Sequence, residues 1–315
     1  MGLSNDYQIM RIARKYYDFH IGQLEIAQEE GISKSTVSRI LKKAHELGYV
    51  TVTVNYDLDN VDDLAVQIKD LFNLKEVFIV PKIVDDDNIV MQDTCRVLAG
   101  HLDNYIEDGA TIGVSWGKTM NCLSQCIRNL QARHIQVVQL NGSVSNYSNP
   151  TGAVQIVEAL AKNGKGESYM LPAPAIVDSK EIADVLRKDS QVKKVLEMAD
   201  SAPVNIFSIG SLTKDSILYK VGYFDDATYD HMIEKGAVGD IASHFFREDG
   251  QIAALDMDER VIGLCLEAFK KKKYSIAIAV GKNKVKPIIG ALKGGYANIL
   301  YTDEETAKEI LHQYV

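Results

Sequence analysis

The chain has 315 residues, 46% hydrophobic and 25% charged, a globular composition that excludes a collagen-like, disordered or membrane-spanning protein. Four cysteines in this length exclude a disulfide scaffold; there is no apolar run of about eighteen residues and no basic leader with an apolar core, so a cytoplasmic protein with free thiols is expected. The net charge of −8 excludes a protein that coats a polyanion over its whole surface, but the charge is unevenly placed.

Residues 1–56 hold seven of the 35 Lys/Arg and six of the 43 Asp/Glu; the remaining 28 and 37 fall in residues 57–315, so the acidity sits in the larger part. From Tyr7 to His20, the spacing of Ile9, Ile12, Ala13 and Tyr16 predicts a helix. Gln23 opens a second, short helix with Leu24, Ala27 and Ile32 on its apolar side. Gly31 suits the left-handed turn that ends it, having no Cβ to clash. Ser33 can cap a third helix, Lys34–Leu47, whose buried face is Val37, Ile40, Leu41 and Ala44 and which Gly48 stops. Between Lys34 and Lys43 there is no acid. Two helices about a glycine turn, the second basic and rich in hydroxyls, form a helix-turn-helix pattern. The second helix of such a pair can enter the major groove, where Ser and Thr donate or accept, Arg bonds guanine bidentately and Lys meets phosphate. The candidate DNA-contacting residues are Gln23, Lys34, Ser35, Thr36, Ser38, Arg39 and Lys42. Tyr49–Val54 alternates like a strand and could form a small wing. An ordinary three-helix subdomain with a solvated basic face is the competing reading; the agreement of cap, turn, apolar spacing and charge favours DNA binding.

Asp57–Leu71 reads as a helix that links this head to the rest, with Leu64, Ile68 and Leu71 placed for a dimer seam. Beyond it, strands are expected at Val77–Val80, Thr111–Val114, Ile135–Leu140, Val204–Ile209, Ser275–Val280 and Asn298–Tyr301. Helices are expected at Asn88–Ile106, Thr119–Leu130, Ala153–Ala161, Lys180–Lys188, Gln191–Ala199, Asp226–Lys235 and Asp303–His312. This alternation predicts an α/β domain with a mostly parallel, Rossmann-like sheet covered on both faces, whose ligands bind beyond the carboxyl ends of the strands.

The loops at those ends carry the candidate site. Gly113-Val114-Ser115-Trp116-Gly117-Lys118-Thr119 follows a strand and opens a helix; its glycines let backbone N–H groups approach an anion, and Ser115 and Thr119 add hydroxyls. The stretch is one residue short of a Walker A loop and has Ile at 112, so a small-metabolite phosphate is favoured over a nucleoside triphosphate. Asn141-Gly142 and Gly210-Ser211 end two further strands and could line the same crevice, as plain turns could too. Asp240 could accept from sugar hydroxyls or cap a helix, and Lys284 could reach a phosphate from the last loop. Cys122 and Cys126, a helical turn apart, do not match a zinc knuckle, and the run Lys270–Lys273 reads as a solvated helix end. No metal or cofactor is expected.

The stretches Ile26-Ala27, Gly31-Ile32-Ser33, Thr36–Leu41 and Gly48-Tyr49-Val50 together resemble the head of the SorC-type sugar-responsive regulators. Gly113–Gly117 with Thr119, Ala237–Ile241, Gly290-Ala291-Leu292 and Tyr296-Ala297-Asn298 resemble that family's effector domain, so the resemblance spans nearly the whole chain. Within the family the sequence is most similar to the deoxyribonucleoside-responsive branch. The resemblance implies a winged helix-turn-helix head (1–56) and an effector and oligomerisation domain (57–315) similar in fold to sugar-phosphate isomerases and deaminases. It also implies dimers or tetramers, and operator affinity set by a phosphorylated sugar. By position it implies Ser115, Gly117 and Thr119 at phosphate, Lys284 assisting and Asp240 near the sugar. One position departs: where that branch has a lysine suited to forming an imine with an aldehyde sugar, this chain has Asn141. An amide cannot form an imine, so the effector is held non-covalently or is a different sugar phosphate.

A regulator, acting as a repressor, is therefore the leading reading, and a non-enzymatic one. An isomerase or deaminase with an added head is the alternative; it would need a proton-transfer group at the ligand, for which Asp240 is the candidate, His231 and His244 reading as surface or core histidines.

Overall fold

The structure, a computed structural model, describes residues 3–50, 61–143, 152–214, 216–220 and 223–314. It divides into two compact units, Met1–Asp57 and Leu58–Val315. The small unit has three helices, α1 (Leu3–Tyr17), α2 (Gln23–Glu30) and α3 (Lys34–Glu46). Their core is Ile9, Ile12, Ala13, Ile26, Ala27, Val37, Leu41 and Ala44, with Tyr16, Ile32 and Ile40 packed against it. Leu24 is not part of this core: it is 64% exposed and Ile26 is buried in its place. Residues two apart on a helix point about 200° apart, so burying Ile26 turns Leu24 outward. Gly31 adopts φ 64°, ψ 32°, and Ser33 Oγ accepts from the Thr36 N–H at 3.1 Å, so the turn and cap form as their residue types require. Of the wing expected at Tyr49–Val54, residues 51 onward lie outside the described residues, as does the start of the linking helix.

In the large unit α4 (Asp62–Phe72) buries Ala65 and Ile68 in its own core, with Leu64 packed there too, so these side chains do not face outward as a dimer seam. Among the described residues ten strands follow: β1 (Glu76–Val80), β2 (Thr111–Val114), β3 (Gln136–Gln139), β4 (Glu167–Tyr169), β5 (Val204–Ser208), β6 (Gly210–Ser211), β7 (Ala237–Ile241), β8 (His244–Arg247), β9 (Tyr274–Ile278) and β10 (Ile299–Asp303). Seven pair in parallel in the order β1-β10-β9-β5-β2-β3-β4. Helices cover both faces, among them α5 (Asp87–His101) and α6 (Lys118–Cys126). From β2 the chain moves outward to β3 and β4, then returns to β5 on the other side of β2. The strand order therefore reverses between β2 and β5, and a crevice opens beyond their carboxyl ends.

Several elements were not expected. The strands β6, β7 and β8 form a separate antiparallel sheet. Helix Val285–Lys293 is buried throughout Pro287–Leu292, a short continuous apolar run that periodicity alone does not assign to a helix. Lys272 is not solvated: it is 6% exposed, and its ammonium donates to the carbonyls of Ala199 (2.9 Å) and Asp200 (2.6 Å), at the end of helix Ser190–Ser201.

In the small unit Arg11 and Lys15 donate to Glu30 at 2.6 and 2.8 Å and hold its carboxyl down to about 2, from an ordinary 4.5. A depressed carboxyl stabilises the fold above its unfolded pKa and loses that contribution as pH falls through the folded one. Hydrogen exchange of α1–α3 amides is therefore expected to speed up as pH-corrected stability drops between about 4.5 and 2. Glu30→Gln should flatten this dependence and cost about 1 kcal/mol near neutrality.

Candidate functional site

A cavity of about 510 Å³ lies in the crevice, and five loops wall it. The first joins β2 to α6. Gly117 sits at φ 135°, ψ 175°, a conformation open essentially to glycine alone, and lets the chain turn sharply into α6. The first-turn N–H groups of α6 have no acceptor within the helix and so favour an anion in front of them. Ser115 Oγ accepts from the Ser208 N–H at 3.3 Å, and the Ser115 N–H donates to the Ile206 carbonyl at 3.1 Å, tying the ends of β2 and β5 together. Thr119 Oγ1 donates to Met91 Sδ at 3.8 Å, and Lys118 Nζ to Asn88 Oδ1 at 3.0 Å. Trp116, nearly buried, donates Nε1–H to the Gly142 carbonyl at 2.8 Å and so anchors the loop after β3.

The opposite wall is the β7–β8 hairpin. Ala242 (φ 51°) and Ser243 (φ 72°) form its two-residue tip with both residues in the left-handed region, where Asn and Gly are the usual occupants. Asp240 Oδ2 accepts from the Ser243 N–H at 3.2 Å, and Asn141 Nδ2 donates to Ser243 Oγ at 3.1 Å. Gly210 faces Asp240 across the β6–β7 pair; a Cβ there would stand 2.0 Å from Asp240 Oδ1. The last wall is the turn after β9. Its Gly281 N–H donates to Thr306 Oγ1 (2.9 Å) and Asp303 Oδ2 (3.1 Å), which set the turn that carries Lys284.

Of the residues singled out in the sequence, Ser115, Trp116, Gly117, Lys118, Thr119, Asn141, Gly210, Ser211, Asp240 and Lys284 all line the cavity. Gly113 and Gly142 do not. Gly113 lies in β2 with Asn205 and Leu140 filling the space of its missing Cβ, and Gly142 is pressed on the Pro174 carbonyl; both shape the floor from behind. Asp240 lies in a strand and caps no helix, and His244 is a core residue bonded to Asp258 at 2.6 Å and absent from the cavity wall. The sequence reading missed Asn88 and Met91 from α5, Thr213, Ser216, Ile217, Leu218 and Lys220, and Ser243 at the hairpin tip; Ser208, at the end of an expected strand, was legible as part of a strand-end loop.

Burial pushes the Asp240 carboxyl up to about 6, against the opposing pull of the Ser243 N–H and the Lys284 charge. Burial lowers the Lys284 ammonium to about 8, against the opposing Asp240 carboxylate. The cavity thus holds an acid and a base withdrawn from water, beside hydroxyls and a helix N-terminus, an arrangement that can bind a polyhydroxylated anion.

In the small unit, Lys34, Ser35, Ser38, Arg39 and Lys42 are exposed on α3, Thr36 is half-buried with its hydroxyl on Ser33 Oγ (2.8 Å), and Gln23 starts α2. Glu29 and Glu30 of α2 are engaged by Arg11 and Lys15, whereas Lys34 and Arg39 pair with no carboxylate among the described residues. The exposed face of α3 is therefore net basic.

The sequence matches the sugar-binding domain family over residues 56–312 and the winged helix-turn-helix DNA-binding family over residues 4–51. It is 32% identical to the deoxyribonucleoside regulator of Bacillus subtilis over 300 residues, 95% of this chain and 96% of that one. It is 32% identical to the transcriptional regulator LsrR of Escherichia coli over 315 residues, 98% of this chain and 96% of the relative. The full-length sorbitol operon regulator SorC of Klebsiella pneumoniae has a similar structure, with TM-score 0.75 at 28% identity, covering 98% of this chain and all of that one.

Asp240 supports the charge of Lys284, so Asp240→Asn is expected to lower the lysine further below about 8. Acylation of Lys284, followed across pH by peptide mass spectrometry, should then reach its plateau at lower pH than in the unaltered protein; superimposable profiles would show that the two groups are not coupled.

Proposed function

This chain belongs to the SorC-type family of sugar-binding transcriptional regulators, and on that premise we propose that it is a cytoplasmic repressor of a carbohydrate or nucleoside catabolic operon, released from its operator by a phosphorylated sugar. The observation that carries the reading is the cavity at the strand-order reversal, where anion-binding and hydroxyl-binding groups face one another. In this reading the phosphate sits at the N-terminus of α6, on Gly117, Lys118 and Thr119, with Ser115 and Lys284 beside it. The sugar hydroxyls point toward Asp240, Ser211 and Asn141. Phosphate binding here neutralises the Lys284 ammonium, whose burial is unfavourable when it is unpaired.

The head reads DNA through α3. Arg39 and Ser38 reach base edges and Lys34 and Lys42 reach phosphates, with Gln23, Ser35 and Thr36 at the groove rim. Two copies in a symmetric dimer, or a pair within a tetramer, present two such helices about 34 Å or a multiple of it apart on a near-palindromic site. The sugar phosphate can shift the DNA equilibrium only by binding the competent and incompetent arrangements unequally. An isomerase or deaminase would use Asp240 as its base; because the relatives are named as regulators, we read the chain as non-enzymatic and Asp240 as an acceptor for sugar hydroxyls.

Two measurements test this. A panel of sugar phosphates and their unphosphorylated counterparts should show thermal stabilisation by one or a few phosphorylated sugars only. Ser115→Ala with Thr119→Ala should abolish that shift; an unchanged shift removes the phosphate assignment. In a binding assay at fixed salt, Arg39→Ala should weaken the specific operator about 10- to 100-fold with little effect on random DNA, whereas Lys42→Ala should weaken both and reduce the salt slope by about one.

A further inference from the structure

Asn141, two residues beyond β3, has its side chain in the cavity wall and is only 2% exposed. Its Nδ2 donates to Ser243 Oγ, but Oδ1 is buried and has no hydrogen-bond partner among the described residues. The side chain cannot escape this by backbone adjustment. Asn141 bridges Gly263, and on either side the Gly142 N–H donates to Ile262 and the Leu264 N–H to Leu140. Two nearby N–H donors are committed: the Ser243 N–H to Asp240 and Trp116 Nε1 to Gly142. Turning the amide over would only exchange an unpaired oxygen for an unpaired NH₂. A buried polar atom left bare is unfavourable, and native proteins keep few of them.

Ser243 adds the complementary half. Its oxygen accepts from Asn141, which leaves its own O–H to donate, and no acceptor for that proton is found among the described residues. An acceptor (Asn141 Oδ1) and a donor (Ser243 O–H) thus stand side by side on the cavity wall. An alcohol, which both donates and accepts, satisfies the pair; an ammonium, which cannot accept, satisfies only half of it.

Resting on the reading of this cavity as a sugar-phosphate site, we propose that Asn141 and Ser243 are its specificity-determining pair: they clasp one hydroxyl of the sugar and select the hydroxylated sugar phosphate over the analogue that lacks that hydroxyl, without a covalent bond. A site built around a hydroxyl discriminates strongly against its absence, because the protein groups are then left unpaired.

The test is calorimetric titration of the full-length protein with ribose 5-phosphate and glucose 6-phosphate, with each of their monodeoxy analogues, and with inorganic phosphate. For a sugar phosphate that binds, one monodeoxy analogue is expected to bind at least about tenfold more weakly. Asn141→Leu, of nearly the same shape, should bind the hydroxylated and deoxy forms alike, and Ser243→Ala should narrow the gap. The unaltered protein decides the matter even if a variant fails to fold. Binding of every monodeoxy analogue within threefold of its parent, or an undiminished preference in a folded Asn141→Leu, overturns the proposal while the sugar-phosphate reading stands. Absence of binding by all the compounds, inorganic phosphate included, removes that reading and this proposal together.

Discussion

The site depends on one topological constraint: the reversal of strand order between β2 and β5. Where the chain leaves neighbouring parallel strands toward opposite faces, no connection covers their carboxyl ends, and the gap cannot be closed by either layer of helices. Ser115 and Ser208 bridge that gap and fix its width, so the turn at Gly117 and the loop at Gly210 always face each other. The other walls are suspended from this seam. Trp116 holds the loop after β3, Gly210 makes room for Asp240, and Asp303 with Thr306 holds the turn that carries Lys284.

The cavity gathers local strain and incomplete pairing in one place. It holds two left-handed residues in one hairpin tip, a carboxyl and an ammonium both shifted toward neutrality by burial, and an amide oxygen without a donor. Each is unfavourable in isolation, and each persists because the surrounding sheet determines its position. A ligand that relieves several of them at once gains affinity from defects already present, and needs little rearrangement of the floor to do so.

The sequence disclosed what is local and concealed what is topological. The α3 cap at Ser33 and the turn at Gly31 are set by residues adjacent in the chain, and both formed as their chemistry dictates. The strand-end loops were legible because glycine and hydroxyl residues follow apolar runs there. Helix Val285–Lys293 was not, because its short, nearly continuous apolar run cannot be told from a buried strand by periodicity. The small antiparallel sheet was not, because its shortest strand has two residues and its tip carries Ala-Ser where Asn-Gly would have announced a hairpin. Asn88 and Met91 enter the site from a helix far away in sequence, which only the packed fold brings near. Lys272 shows the same limit in reverse: a run of four lysines looks like surface until one of them is found stoppering the end of a neighbouring helix.

The contact between Thr119 and Met91 bears on how quickly the pocket can exchange partners. A thioether is a weak acceptor, and at 3.8 Å it steadies the hydroxyl without competing for it. Had an amide or carboxylate oxygen stood there, an arriving oxyanion would first have to break a strong bond and would gain only the difference between two. With sulfur as the placeholder, the hydroxyl is oriented in advance and yet free to leave, so under the proposed phosphate assignment an oxyanion displaces only a weak bond at Thr119.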